Sequence, residues 1–491
     1  MVKSPKASKK FKISERKFRR NLLAISISAL LVKILIILRI QGFDWYSAGN
    51  GDIGKGLGEL LDNNLIPPNS WYGADGENYL RGLQGLVEDG FYSEQGNLSN
   101  WPAGYPLLLW PIIEISRSYF FLVVSLLQSL IYTASSIWLV DEIRRTRLSK
   151  AAYLIAFFLA FNPTLFLGTA TIGYELPVVA LLVVATAALI RNYRSQNMHF
   201  YSWEILVASV SLSLATFMQP RLLIIAFIFF CLWALSKFKI RTAAPFLALT
   251  MGVVSLAPAL MIYRNHEVHG YSAISTNLGV TMRLGAGPAT SGGFSTSPTG
   301  VVECPKTEGN AAEVDNAVVR CVVKWYLENP VKSIELFWNK ARFFWSPWFG
   351  PEANGTMARN PWNINHPFRA TAQTQDGFNL IFGGFGKLVS WIWMLVGILL
   401  LGKGFVFLWK LGDLERLIGL IAGMVFVTNL ISSMLTIGDH RFRIPSMGFS
   451  LVLQAIGIIS LYTKRRSLPS RTNPLVAWPS FRSRNSGTGN P

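Results

Sequence analysis

One long loop of this chain carries an acid, a tyrosine one helical turn further on, and a proline-rich aromatic run. Asp75 and Glu77 come first, then Tyr79, a stretch with amphipathic helical spacing, Gly90, an aromatic turn, and Pro102, Gly104, Tyr105 and Pro106. A carboxylate held near a hydroxyl can take its proton as the oxygen attacks a reacting carbon. Further acids and arginines follow: Glu175 in GYELP, Arg221 after Pro220, Arg264 beside Asn265, and Asp439, Arg441 and Arg443 in GDHRFRIP. Arginine guanidinium groups hold phosphate oxygens through paired hydrogen bonds. Each residue also has a plainer reading. Asp75 is an acid in an acidic loop. Arg221 and Arg264 anchor helices at lipid headgroups. Glu175 caps a helix start, and Asp439 pairs with Arg441.

The elements that position these residues are membrane helices. Of the 491 residues 51% are hydrophobic and only 15% are charged, against roughly 25% in soluble domains; the mean hydropathy is +0.34. Several apolar runs approach the ~20 residues that cross a bilayer. Ten spans are expected near 21–41, 118–140, 152–169, 176–191, 204–218, 221–236, 243–262, 381–402, 414–436 and 445–462. The fold class is therefore an all-α polytopic integral membrane protein. The apolar stretch Asn21–Ile40 follows a long basic segment without a small-residue cleavage site, so it reads as a retained span and not as a secretion signal. Lys33 falls inside that span and should face other helices or snorkel.

The net charge of +19 is distributed by segment. Met1–Arg20 holds nine Lys/Arg and one acid, the tail from Lys464 six Lys/Arg and no acid, and the loop Gly42–Ser116 ten acids and two basic residues. Basic ends beside spans mark the cytoplasmic side, and no nucleic-acid recognition pattern is present. If the ten spans alternate, the basic connectors at 141–150, 191–199, 237–241 and 403–410 all share that side with both termini. The domain organisation is then a cytoplasmic tail over 1–20, a transmembrane domain over 21–462 with outer loops at about 42–117 and 264–378, and a tail over 463–491. Its Ser/Arg/Pro-rich part from Ser467 is expected to be disordered.

The second outer loop ends in a segment, Pro330–Trp348, whose apolar residues recur at helical spacing with Trp338, Trp345 and Trp348 among basic residues. It reads as a helix lying in the membrane interface. Cys304 and Cys321 share this loop, on the side where disulfides persist; a bridge would stabilise it by roughly 3 kcal/mol. Cys231 reads as a small apolar residue. The glycines at 54–58 lack Walker spacing, and His266 and His269 do not form HExxH. Asn97 and Asn354 stand in glycosylation sequons. No internal repeat is evident.

With the spans alternating, Asp75, Glu77, Glu175, Arg221, Arg264, Asp439, Arg441 and Arg443 all fall on the outer face. An acid cluster and several arginines on one face suit a phosphate-bearing lipid whose headgroup reacts there. In this order the segments resemble the GT-C superfamily of membrane glycosyltransferases, of the dolichyl-phosphate-mannose protein mannosyltransferase and bacterial family 39 type. The matching pieces are Asp75, Tyr79 and Pro102–Pro106; Glu175; Pro220–Arg221; the run from Met261 to Gly293; and Asp439–Pro445. They lie between Asn21 and about Leu461. The chain departs from the family in four places: Gly76 separates the two acids, Gly42–Trp71 is long, Asp439 replaces the commoner glutamate, and no soluble C-terminal domain is expected.

The resemblance implies transfer of a sugar from a polyprenyl phosphate to an acceptor protein, glycan or lipid, by inverting direct displacement on the outer face of a bacterial plasma membrane. Asp75 is the expected base. Glu77, Tyr79, Glu175, Arg221, Arg264, Asp439, Arg441 and Arg443 are the expected substrate contacts. No cofactor is required, and the acids would accept a divalent metal. The alternative is a lipid-linked sugar flippase or other transporter, which should show polar residues on both sides and often internal repeats. A non-catalytic scaffold would need none of the acid and arginine set.

Overall fold

The computed structural model describes residues 7–41, 73–116, 119–195, 202–236, 238–347, 375–376, 379 and 383–462. Among them the regular elements are helices: α1 (Ala7–Gln41), α2 (Gly73–Asp89), α3 (Asn97–Asn100), α4 (Gly104–Ile115), α5 (Phe120–Arg144), α6 (Ala152–Phe161), α7 (Pro163–Gly168), α8 (Glu175–Arg194), α9 (Trp203–Met218) and α10 (Leu222–Leu235). There follow α11 (Ile240–His269), α12 (Leu278–Leu284), α13 (Ala311–Glu328), α14 (Pro330–Phe344), α15 (Gly384–Leu411), α16 (Asp413–Leu435), a 3-10 turn (His440–Arg443) and α17 (Ile444–Tyr462). The glycines at 54–58, Asn354, Trp348 and the tail over 463–491 lie outside the described residues.

Among the described residues, seven stretches are long and apolar enough to cross a membrane: Glu15–Leu38 of α1, then α5, α8, α11, α15, α16, and His440–Tyr462. Helices α4, α6, α9 and α10 are apolar but shorter. The span expected at 152–169 is divided. Asn162 is extended before Pro163, as a residue preceding proline prefers. Its Oδ1 then accepts the Leu165 amide at 3.1 Å and starts α7.

Helix α8 is the buried axis of the bundle, with Val178 through Ile190 almost wholly inside. Its first turn carries Glu175 and its last Arg191 and Arg194, each sign complementing the helix dipole. At its C-terminus Arg194 pairs with Glu142 of α5. Nearby, Arg144 of α5 pairs with Glu15 of α1 at 3.1 Å, and the Arg147 guanidinium donates to the Leu411 carbonyl at 2.7 Å. Arg144, Arg147 and Arg194 therefore gather at one end of α8. Glu175 and Arg441 meet at the other, across 20 residues or about 30 Å of helix. Lys33, 2% exposed, faces neighbouring helices, with its ammonium 4.5 Å from the Tyr132 ring and 5.4 Å from Phe166.

Helices α15 and α17 approach at backbone level. A Cβ on Gly404 would come within 1.9 Å of the Leu453 carbonyl, and one on Gly457 within 2.2 Å of that of Leu400. Close helix pairs in membranes use small residues in this way.

Between α11 and α15 a small second core forms around Met282, Ala286, Val302, Val322, Tyr326 and Leu336. Cys304 and Cys321 are joined by a disulfide there, with Cα atoms 5.9 Å apart. Asn310 and Glu313 close a reciprocal cap on α13. Helix α14 packs inward at its end. Its C-terminal Phe344 and the following Trp345 are buried against Met394 of α15 and Phe426 of α16, and the Trp345 indole donates to the Met394 carbonyl at 2.9 Å.

Candidate active site

Helix α2 carries the acids in its opening turns. Its backbone puts Asp75 one turn before Tyr79; the side chains of Asp75 and Glu77 lie outside the described residues. Tyr79 is 1% exposed. It meets Tyr105, Tyr174 and Trp101 edge-on, at ring distances of 5.4, 5.8 and 6.2 Å. These four aromatic rings join α2, the 101–105 turn and the start of α8.

The proline-rich run explains itself through packing. Gly104 sits where a Cβ would lie 2.2 Å from the Phe217 carbonyl, so only glycine lets α4 approach the end of α9. Tyr105 then points inward. Its hydroxyl accepts the Gly173 amide at 3.1 Å and donates to Gln128 Oε1 at 3.4 Å. Gln128 in turn donates to the Thr169 and Thr171 carbonyls at 3.1 and 3.0 Å. The turn leading to Tyr174 and Glu175 is thus held from α4 and α5.

Glu175 and Arg441 form a buried ion pair. Arg441 Nε donates to Glu175 Oε1 at 2.7 Å, both side chains being 6% exposed, and Nη2 donates to the Tyr174 hydroxyl at 3.3 Å. Glu175 stands in the first turn of α8, which Tyr174 precedes without a side-chain cap, and its carboxylate also takes the Arg441 guanidinium. Asp439 meets Arg441 through the backbone: its Oδ1 accepts the Arg441 amide at 2.8 Å and starts the 3-10 turn.

Arg221 closes the cluster. Its Nη1 donates to Ser432 Oγ at 3.0 Å, and its guanidinium stacks 4.5 Å from the Phe442 ring. Arg441 lies 5.7 Å from the same ring. Tyr174, Arg441, Glu175 and Tyr79 all act electrostatically on Arg221. The structure therefore brings together Tyr79, Glu175, Arg221, Asp439 and Arg441.

Two expected contacts sit apart from this cluster. Arg264 is fully buried as a clamp on the exit from α2. Its Nε donates to the Phe91 carbonyl at 2.8 Å, Nη2 to the Ser93 carbonyl, and Nη1 to Asn265 Oδ1 at 2.9 Å. Asn265 continues the clamp to the Ala273 carbonyl at 2.8 Å. Arg443 donates to the Ser346 carbonyl at 2.9 Å, between the Trp345 and Trp393 rings at 5.1 and 4.9 Å. His440 Nδ1 lies 3.0 Å from the same carbonyl, which can only accept, so Nδ1 bears the hydrogen. Nε2 then faces Thr164 Oγ1 at 3.4 Å as an acceptor.

Sequence reasoning missed Tyr174, Gln128, Ser346, His440 and Lys340. Lys340 Nζ donates to the Tyr326 hydroxyl at 2.7 Å and to the Thr436 carbonyl at 2.6 Å, tying α14 to the turn before Asp439. The glycine-rich loop locks the same turn: Gly438 donates to the Gly292 carbonyl at 2.9 Å, and a Cβ on Gly285 would meet the Thr436 carbonyl at 2.2 Å. A lysine between Leu336 and Phe344 on the apolar face of an amphipathic helix was the available signal. No group of three or more His, Cys, Asp or Glu that could hold a metal occurs among the described residues.

Neither a family model nor a curated protein matches the chain. Among solved structures it is similar to an oligosaccharyltransferase from Archaeoglobus fulgidus crystallised with zinc and sulfate. The identity is 15%, the match covers 88% of this chain and 49% of that one, and the TM-score is 0.43. The same organism's archaeal oligosaccharyltransferase AglB, in complex with an inhibitory peptide and a dolichol-phosphate, matches at 12% identity over 89% and 50% of the two chains, with a TM-score of 0.38. The chain spans about half the length of these structures.

Proposed function

We propose that this chain is a GT-C-type membrane glycosyltransferase that moves a sugar from a polyprenyl phosphate to an acceptor hydroxyl. The observation that carries the reading is the buried Glu175–Arg441 pair gathered with Arg221, Tyr174 and Tyr79 at one end of the bundle, against the helix that bears Asp75. Such a set needs a reason in a membrane protein, because buried charge is costly there.

In the proposed reaction the acceptor oxygen attacks the anomeric carbon from the face opposite the phosphate. The new bond forms as the bond from carbon to phosphate oxygen breaks, and the electron pair leaves with the phosphate. Asp75 takes the acceptor's proton. Arg221 and Arg441 meet the charge that builds on the leaving phosphate. Glu175 holds the Arg441 guanidinium by its Nε edge. Tyr79 and Tyr174 wall the acceptor side, while Arg264 and Arg443 position α2 and α17. Glu77 and Asp439 flank the site, and a divalent metal is not needed for this chemistry. On this reading the site faces outward in a cell-envelope membrane.

The test is transfer by the purified protein in proteoliposomes, supplied with radiolabelled polyprenyl-phosphate sugars and envelope fractions. Label should reach an acceptor with the unaltered chain and not with Asp75→Asn. Full transfer by both Asp75→Asn and Glu77→Gln would remove the mechanism.

A further inference from the structure

Helix α14 has two unlike faces. Ser333, Leu336, Lys340 and Phe344 point inward and are buried. The opposite face carries Val331, Ile334 and Trp338 at 83%, 68% and 70% exposure, and Leu327 at the end of α13, just before α14, is 77% exposed. Large apolar side chains bared in a row mark a contact surface. The charges beside them are neutralised locally, Lys332 by Glu335 at 2.9 Å and Lys324 by Glu328 at 3.6 Å. The ridge is thus apolar and without strong net charge.

The depth of the helix identifies what covers this ridge. Met394 and Phe426, which bury its C-terminal end, lie ten residues into α15 and nine residues before the end of α16. At 1.5 Å per residue that is about 13–15 Å along each span. A helix that starts at the loop and ends at such a depth passes through the headgroup layer. Helix α15, which Trp345 meets at Met394, itself exposes Leu388, Trp391, Ile392 and Leu395, as a lipid-facing helix of a multi-pass protein should.

We infer that Leu327, Val331, Ile334 and Trp338 form a lipid-contact ridge seated at the boundary between acyl chains and headgroups of electrically neutral lipid, and that this seat holds the turn bearing Arg441. The inward face supplies the connection. Lys340 grips the Thr436 carbonyl, and Gly438 packs so closely on Lys340 that a Cβ there would stand 2.6 Å from its Cα. Asp439 and Arg441 follow directly. The ridge itself does not depend on the proposed reaction; its bearing on the site rests on that reading.

The experiment uses the full chain with Cys231→Ser, so that a single introduced cysteine is labelled while Cys304 and Cys321 stay bonded. An NBD fluorophore at Ile334→Cys, in vesicles of dioleoyl-phosphatidylcholine, should emit at short wavelength and be quenched by doxyl lipid. The same fluorophore at Glu308→Cys should be quenched by aqueous iodide. Equal iodide quenching at both positions, or shielding of position 334 from both quenchers by protein, overturns the lipid seat. In the same vesicles Ile334→Glu/Trp338→Glu should speed amide exchange over 436–443 by about fivefold or more, with α8 unchanged. Unaltered exchange over 436–443 overturns the connection to the site, whatever the transfer assay shows.

Discussion

Removing one partner of the Glu175–Arg441 pair should be among the most damaging single changes outside the apolar core. The two side chains are each 6% exposed and meet at 2.7 Å, so neither regains water when the other is lost. Breaking a buried pair from one side typically costs about 3–5 kcal/mol, because a charge is left uncompensated. In Glu175→Gln the side-chain volume and an acceptor oxygen remain, and the Tyr174 hydroxyl still accepts from Arg441 at 3.3 Å. The loss should fall at the lower end, about 3 kcal/mol. Arg441→Met also gives up the stacking on Phe442 and Tyr174, 5.7 Å away in each case, and should cost at least as much. The double variant removes both members of the pair, so its loss should be smaller than the sum by about 1–3 kcal/mol. Steric trapping in bicelles measures all four folding free energies. Single losses below about 0.5 kcal/mol, or strict additivity, would refute the view of this pair as a dry, mutually dependent contact.

Asp75→Asn should lower sugar transfer by about 10²–10⁴-fold with folding intact, Glu77→Gln should cost less, and Arg221→Ala should raise the donor KM; transfer kinetics with labelled donor read all three. Gly104→Ala drives a Cβ toward the Phe217 carbonyl, 2.2 Å away, and should destabilise by about 1–3 kcal/mol, seen as a lower Tm in detergent. Burial raises the Asp315 carboxyl above its ordinary 3.8, against an opposing hydrogen bond from the Gly279 amide. A raised folded pKa means the folded state binds more protons in the window between 3.8 and the raised value, so stability falls as pH rises through that window. Asp315→Asn should flatten this dependence in pH-resolved unfolding; an unchanged slope would exclude Asp315 as its source.

The apolar runs made the helices legible, since a span needs length and hydropathy and both are linear in sequence. The break at Asn162–Pro163 was not read, although proline punctuation was there. Glu175 and Arg441 were each picked out, but their pairing spans 266 positions, and short-range patterns offered Asp439 as the nearer partner. Arg264 was legible as an arginine at the end of a span, read as a headgroup anchor or a substrate contact. Its use of backbone carbonyls was not, because acceptors of that kind have no sequence signature. Lys340 escaped notice for the opposite reason: lysine on an amphipathic helix is ordinary until the inward face is known.

The Cys304–Cys321 bond ties the bracing of the site to oxidation. The unit of α12, α13 and α14 waits for a thiol oxidant, since such bonds persist only in oxidising compartments. Because Lys340 and the 285–293 loop brace the turn that presents Arg441, an unoxidised molecule would be inserted yet imperfectly braced. A production host should therefore be chosen for its oxidative folding capacity as much as for its yield of membrane.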